Sequence, residues 1–262
     1  MQQPQLGPLL APVEAHWLFG SPLLGPGAPA LLGQLLDDFA ARGERPCVLV
    51  SGLPASAERR DAIAAVLLPR GRVRWLEPVV VCSASLDGGL DGWWSRRSGR
   101  FRRNLRQAER RAAAHGIGFE RHVPRSAAES AAVYRRMLDV EQRSWKGIGR
   151  CGMAESPSRE FYAAMLRRLA VAGAGRVVFA RRGERDVGFV FGGMAGAVYR
   201  GQQFSFDDEL AALSIGNLLQ LEQLRWLVEE RAERYDMGPR MQYKLQWTET
   251  QVVLDAWLLR QG

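Results

Sequence analysis

Between Arg176 and Phe206 the chain reads as three strand-forming runs separated by turns, and no other stretch constrains the fold as tightly. Arg176–Arg181 and Asp186–Met194 are joined by Arg182-Gly183-Glu184-Arg185, which predicts a hairpin. Ala197–Phe206 (AVYRGQQFSF) adds a third adjoining strand with alternating character. Short turns between consecutive strands call for antiparallel pairing. Helical patterns lie on both sides of this block. Ser126 and Glu129 form an S-x-x-E box that predicts a long helix reaching Trp145. Ser156–Pro157, a cap followed by a first-turn proline, opens another helix to about Ala172. Ser214 opens a third, SIGNLLQLEQLRWLVEE. Upstream, Arg100–Ala114 is expected to be helical and to end at His115–Gly116, with a strand at Gly118–Val123. Its arginines fall on several faces, so it does not read as a simple amphipathic surface helix. Arg234–Met237 and Lys244–Glu249 are expected as short strands, and Val252–Leu259 as the last one.

The first ninety residues alternate helix and strand: Ala30–Ala41, Cys47–Gly52, Ser56–Leu68, Arg72–Leu76 and Val79–Ser83, after an irregular lead-in over residues 1–27. The fold class is therefore α/β, shading to α+β where the antiparallel meander begins. At 262 residues the chain holds one large domain or two small ones. A boundary is expected between residues 85 and 98, where Gly and Ser cluster, giving domains 1–85 and 86–262. No apolar run reaches the roughly 18–20 residues of a membrane span. The start lacks the basic segment of a signal peptide, so a cytoplasmic location is expected. Cys47, Cys82 and Cys151 are odd in number and lack His at ligand spacing, which argues against disulfides and against a metal site.

Charge is concentrated rather than spread. The net value is +8, yet Arg96–Arg111 (RRSGRFRRNLRQAERR) alone carries eight arginines against one glutamate. Such a cluster suits an anionic partner, although a solvated helix face is the plainer reading. Of 36 basic residues only Lys146 and Lys244 are lysines, and Asn occurs only at 104 and 217. This avoidance resembles a coding bias. Lysines that survive it draw interest, because arginine is a poor substitute where a compact, deprotonatable ammonium is needed.

Three constellations bear on chemistry. The strand end at Phe206–Asp207 followed by a helix opening with Ser214-Ile215-Gly216-Asn217 offers a positive helix terminus to a phosphate, with Gly216 allowing close approach. The bland reading makes Ser214 a cap and Gly216 a packing position. Tyr235-Asp236-Met237-Gly238 with Tyr243-Lys244 brings a carboxylate and an ammonium together, suited to positioning an amine and steadying an oxyanion, or forming an ordinary ion pair. Glu141-x-x-Ser144-Trp145-Lys146 lies at a helix end, where Lys suits the dipole and Trp is more often core. No G-x-S-x-G elbow, Walker A loop or G-x-G-x-x-G fingerprint occurs.

In this order, the segments RFRRNLRQAERR, E-x-x-S-W-K, FARRGERDVGFVFGG, YRGQQFSFDDELAALSIGNLL and YDMGPRMQYKLQW resemble the GNAT acyltransferase superfamily over about residues 86–250. The resemblance is to the branch holding BioF2-like acetyltransferase domains and Fem-type peptidoglycan aminoacyltransferases. Residues 1–85 resemble the partial first lobe of twin-lobed members. One departure stands out: the usual Q/R-x-x-G-x-G/A loop is replaced by S-I-G-N, a loss shared with Fem-type members, which take their acyl group from aminoacyl-tRNA.

The resemblance implies a GNAT fold, a mixed and mostly antiparallel sheet flanked by helices. It also implies direct transfer of an acyl group to an amine, with no covalent enzyme intermediate and no metal. It places the donor's pantetheine arm along Phe204, Ser205 and Phe206, and the pyrophosphate at Ser214, Ile215, Gly216 and Asn217. Lys244 corresponds to a lysine that steadies developing negative charge in Fem-type members. Asp236, Tyr243 and Glu141 are the groups for orienting the amine or taking its proton, and Trp145 and Lys146 line the acceptor side. Arg100, Arg103 and Arg106 would contact donor or acceptor phosphates. Acyl-CoA or an acyl carrier protein is the expected donor and an amine of a small molecule or peptide the acceptor. Two alternatives stay open: a tRNA-dependent aminoacyltransferase, which the arginine cluster suits but the lack of a helical coiled-coil arm does not, and a non-catalytic nucleic-acid-binding module.

Overall fold

The computed structural model describes residues 9–12 and 25–261, so most of the lead-in expected over residues 1–27 lies outside the described residues. In chain order the elements are β1 (Leu9–Leu10), α1 (Ala28–Ala41), β2 (Cys47–Pro54), α2 (Ala57–Leu67), β3 (Gly71–Trp75) and β4 (Val79–Ser85). Next come α3 (Gly89–Ser95), α4 (Gly99–Ala114), β5 (Ile117–His122), α5 (Ala127–Gln142), α6 (Trp145–Ile148) and α7 (Ser158–Val171). The chain ends with β6 (Gly175–Arg182), β7 (Arg185–Ala195), β8 (Val198–Phe206), α8 (Ile215–Glu229), β9 (Arg234–Pro239) and β10 (Thr250–Gln261). Contacts divide them into two compact units, residues 1–82, 239–242 and 250–262 forming one and residues 83–238 and 243–249 the other.

In the first unit β10 pairs antiparallel with β2 and with β3, and β1 runs parallel to β2. Leu32 and Leu36 of α1 and Ile63 and Leu67 of α2 cover Val48, Val50, Leu53, Trp257 and Leu259. Asp255 is buried under this layer, and a carboxylate there needs a partner. Arg60 supplies it with two bonds, Nε to Oδ2 at 2.8 Å and Nη2 to Oδ1 at 3.0 Å.

The second unit is built on the predicted meander. β5, β6, β7 and β8 pair antiparallel in sequence order, and β9 joins β8 in parallel. The hairpin turn falls at Gly183–Glu184, with Gly183 at φ +59°, where a glycine costs nothing. Successive side chains of a strand face opposite ways, and the core divides accordingly. Val178, Ala180 and Val190 pack with Ala108 and Ala112 of α4 and with Ile215, Leu218 and Leu219 of α8. Val177, Phe179, Phe189 and Phe191 pack on the other side with Val133, Met137 and Val140 of α5 and Leu166 of α7. The sheet of this unit is thus mixed, mostly antiparallel, and flanked by helices.

Several local expectations need correction here, among them the Ser156–Pro157 helix start, since Pro157 itself holds the cap position of α7 with no side-chain bond. α4 does have a simple amphipathic face: Phe101, Leu105, Ala108 and Ala112 are buried at helical spacing, while Arg100, Arg103 and Arg106 are exposed. The arginines' wide arc merely reflects a narrow apolar stripe. α5 stops at Gln142 rather than Trp145, and Ser144 caps a separate turn by accepting the Gly147 N–H at 3.3 Å. Lys244–Glu249 is not a strand; Gln242–Gln246 forms a 3-10 turn, closed by the Trp247 N–H on the Lys244 carbonyl. The Gly/Ser cluster before residue 98 holds the helix α3, whose Trp93 is buried against Phe101 and Trp247. The S-x-x-E box caps α5 in a shifted form: Ser126 Oγ accepts the Glu129 N–H, but Glu129 Oε2 takes the Arg125 N–H one residue earlier.

Candidate active site

β8 and β9 define the site by parting. They pair in parallel only over Val198–Arg200 and Arg234–Asp236. Beyond Arg200, β8 continues for six residues with β7 on one side and no β9 pairing on the other. The Asp207 N–H bonds Val187 across β7, so by antiparallel alternation Phe204 and Phe206 turn their backbone groups toward the side β9 has left.

Local sequence explains the parting. On β8, Gln202 is an extra residue in the ladder, since Phe191 faces Gln203 while Gly192 faces Gly201. Glycines on both strands fit this bulge: a Cβ on Gly192 would collide with the Arg200 carbonyl, and one on Gly201 would press on the Tyr235 ring at 3.0 Å. On β9, Asp236 Oδ1 accepts the Gly238 N–H at 2.8 Å, and Gly238 sits at φ +74°. Asp236 Oδ2 accepts from Arg200 Nε at 3.0 Å. The last paired rung is therefore locked by an ion pair just before the strands separate. Asp236, expected near the acceptor amine, spends both carboxylate oxygens on these bonds.

Lys146 reaches the free edge. From α6 its Nζ donates to the Phe204 carbonyl at 2.7 Å and to Gln203 Oε1 at 3.0 Å, and lies 5.7 Å from the centre of the Phe204 ring. Gln203 is oriented by its Nε2, which donates to the Tyr162 hydroxyl at 2.8 Å. Burial pushes the Lys146 amine below its usual range, against the opposing pull of Glu141 and Cys151. Glu141, at the end of α5, is fully buried at 0% exposure. Its Oε1 accepts the Met153 N–H at 2.8 Å, whereas Oε2 has no hydrogen-bond partner. The turn that brings Lys146 back over Glu141 leaves no room at Gly152, where a Cβ would overlap Glu141 Oε1. Trp145, on the same turn, is 58% exposed.

Tyr243 and Lys244 approach Phe204 from the 3-10 turn. The Tyr243 ring stands edge-on to Phe204 at 5.9 Å, and burial pushes its phenol up. Lys244 is buried at 7% exposure, with Nζ 5.8 Å from the centre of the Tyr243 ring. Its carbonyl accepts from the Thr248 hydroxyl at 2.9 Å, which anchors the turn.

The start of α8 completes the arrangement. Ser214 holds a left-handed conformation (φ +60°) with no side-chain cap bond, Ile215 and Gly216 are buried, and Asn217 is exposed. The first N–H groups of a helix have no partner within it. A Cβ on Gly216 would meet Phe206 at 2.9 Å and Phe204 at 3.0 Å, so this glycine lets α8 lie against the free strand. Ser205 is buried, its hydroxyl bonded to the Phe204 carbonyl at 2.8 Å. A Gly216→Val replacement overpacks this contact at a cost of about 1–3 kcal/mol. Chemical denaturation should show that loss as a lower midpoint, and an unchanged midpoint would mean that the contact yields freely.

Phe204 is thus the hub. Lys146, Gln203, Ser205, Gly216 and Tyr243 all contact it, with Glu141 behind Lys146 and Lys244 behind Tyr243. Arg100, Arg103 and Arg106 stand exposed on α4, off its packed stripe. Sequence reading missed Gln203 and Arg200, because both depend on which residues face each other across the bulge. Gly152 was missed as well, since its role arises from the fold of the turn.

The parted parallel pair, the antiparallel meander beside it and the helix starting at the open end define a GNAT-type acyltransferase fold. Residues 99–245 match the family model described as an acetyltransferase (GNAT) domain, and the chain belongs to that family. No curated protein sequence matches it. Among solved structures it is similar to L-PGS from Bacillus licheniformis, with a TM-score of 0.60 at 13% identity over 89% of this chain and 73% of that one. FemX is similar at a TM-score of 0.58 and 10% identity, covering 87% of this chain and 76% of the other. A tandem GNAT protein from the clavulanic acid biosynthesis pathway gives a TM-score of 0.51 at 12% identity, over 90% and 71% of the two chains. At these identities the likeness concerns the fold. Among the described residues no helix is long and apolar enough to cross a membrane.

Proposed function

We propose that the protein is an N-acyltransferase that moves an acyl group from an acyl thioester, acyl-CoA or an acyl carrier protein, directly to an amine of a small molecule or peptide. The observation that carries this reading is the free edge of β8 beyond Arg200, flanked by Lys146 and Tyr243 and ending toward the start of α8. The backbone of Phe206 on such an edge suits the amides of a pantetheine arm, the Phe204 carbonyl already accepting from Lys146 and Ser205, and the α8 terminus suits its phosphates. Residues 1–85 are read as a partial first GNAT-like lobe.

Calorimetric titration with acetyl-CoA and with a longer-chain acyl-CoA tests this directly. Saturable binding to either supports the thioester donor, and the preferred chain length narrows the acceptor. A second reading, an aminoacyl-tRNA donor, is favoured by the exposed arginines of α4. Replacing Arg100, Arg103 and Arg106 together by alanine should leave folding intact, because these side chains are exposed. If they contact phosphates, the salt dependence of bulk tRNA binding should become shallower by about 0.7–0.9 log unit per contact. Absent acyl-CoA binding together with a steep, arginine-dependent tRNA isotherm would replace the thioester reading. Salt-sensitive binding without turnover of any donor would point to a non-catalytic binding module.

A further inference from the structure

Lys146 is the most unusual group in the second unit. A lysine ammonium carries three N–H groups, and its neutral amine carries two and a lone pair. The structure gives Nζ two oxygen acceptors, Gln203 Oε1 and the Phe204 carbonyl. Neither is movable. The Phe204 carbonyl belongs to β8, and the Gln203 amide is held with its oxygen toward Lys146 by the bond from Nε2 to Tyr162. Two fixed acceptors satisfy the two N–H groups of the neutral amine and leave its lone pair unused. The ionised form would have a third N–H, for which this half-buried site shows no further oxygen acceptor.

We infer that Lys146 is the general base of the acyl transfer, its neutral Nζ held by Gln203 and the Phe204 carbonyl at the free edge of β8. This inference rests on the proposed acyl transfer to an amine and names the residue that takes the proton. As the acceptor nitrogen bonds the acyl carbon, its proton passes to the lone pair on Nζ. The carbonyl then reforms, the carbon–sulfur bond breaks with its electron pair on sulfur, and the thiolate takes the proton from Nζ, returning Lys146 to the neutral state. An amide and a free thiol result, with no change in the enzyme.

The surroundings match both halves of that cycle. Burial is the largest influence on the amine and pushes its titration below the usual lysine range. Glu141 and Cys151 are the ionisable groups that act on it electrostatically, and both favour the cation. Glu141 is fully buried with Oε2 unpartnered, which places it to act on the amine from within the fold. Tyr162 reaches Lys146 through Gln203, and Tyr243 through Phe204. Burial pushes the Tyr243 phenol up, and Lys244 lies behind it on the same turn.

Because the chain has only two lysines, the test can be read without a ligand. Protein labelled with carbon-13 at lysine Cε should give two resonances. Lys146→Arg removes one and Lys244→Arg the other, so the assignment survives if either variant fails to fold. The Lys146 signal is expected to titrate below the ordinary lysine value of about 10.4. Glu141→Gln should lower that midpoint further, because it removes a group that favours the cation. Titration of Lys146 at or above the ordinary value overturns the inference and leaves a permanently charged clamp on the Phe204 carbonyl. With a working acyl-CoA assay, kcat/KM should rise with pH through the Lys146 midpoint. Lys146→Arg should lower it by about 10²–10⁴-fold, the usual share of acid–base catalysis. An Arg variant of undiminished activity would also overturn the inference. A protein that binds no acyl-CoA while Lys146 titrates low would remove the donor reading and leave the neutral amine standing.

Discussion

Replacing Lys244 by alanine should lower turnover by about 10²–10³-fold, the usual cost of removing one donor to a developing oxyanion. Donor affinity should change by no more than a factor of a few. The expectation rests on placement. Lys244 is one of two lysines in the chain, it is buried, and it rises from a short turn beside Tyr243, which itself packs on Phe204. An ammonium at such a buried position would act strongly on charge that forms nearby and only weakly on an uncharged thioester. Turnover and acyl-CoA binding measured on the same preparation decide the matter. Equal loss of both would assign Lys244 to donor binding, and loss of neither would leave it a partner in an ordinary ion pair.

The second large effect concerns stability. Phe189 lies on β7, the strand flanked by β6 and β8, and is fully buried among α5 and α7 side chains. Phe189→Ala should cost about 3–5 kcal/mol, the range for a large buried aromatic whose site cannot collapse. The neighbours that would have to close in, Phe179 and Phe191, are each fixed in a strand and fully buried. Chemical denaturation should show a lower midpoint at an unchanged slope. In thermal unfolding about 3–5 kcal/mol corresponds to a fall of about 6–20 °C for a unit of this size. A loss under 1 kcal/mol would mean that the core on this face repacks around the missing ring.

These two positions differ in how far the sequence revealed them. Phe189 belongs to the run Val187-Gly188-Phe189-Val190-Phe191, which is legible as a strand because both faces of it are apolar. Lys244 stands out through rarity, yet the segment around it reads locally as a strand. Local preference did not distinguish the two, since Tyr243-Lys244-Leu245-Gln246-Trp247 alternates well enough for either. The 3-10 turn is decided by bonds to the Lys244 carbonyl from Trp247 and Thr248. The end of α5 was overrun for a related reason. Ser144 and Trp145 continue the helical spacing, but Ser144 caps a new turn instead, and the Ser144 hydroxyl bonds back to the Glu141 carbonyl at 2.7 Å.

What the amino-acid order by itself determines here is everything governed by periods of two and of 3.6: the meander, the helices on its two faces, and the apolar stripes that bury them. Glycine and serine punctuation places the turn at Gly183 and the starts of α4 and α5. The tertiary structure alone decides where β8 and β9 separate, because that depends on an extra residue at Gln202 and on the Arg200–Asp236 pair across two strands distant in sequence. It alone brings Lys146 to the Phe204 carbonyl, 58 positions along the chain. Periodicity encodes which face a side chain takes. The partner it meets there is set by register, by bulges and by close approaches such as that at Gly152, and these belong to pairs of segments rather than to either one.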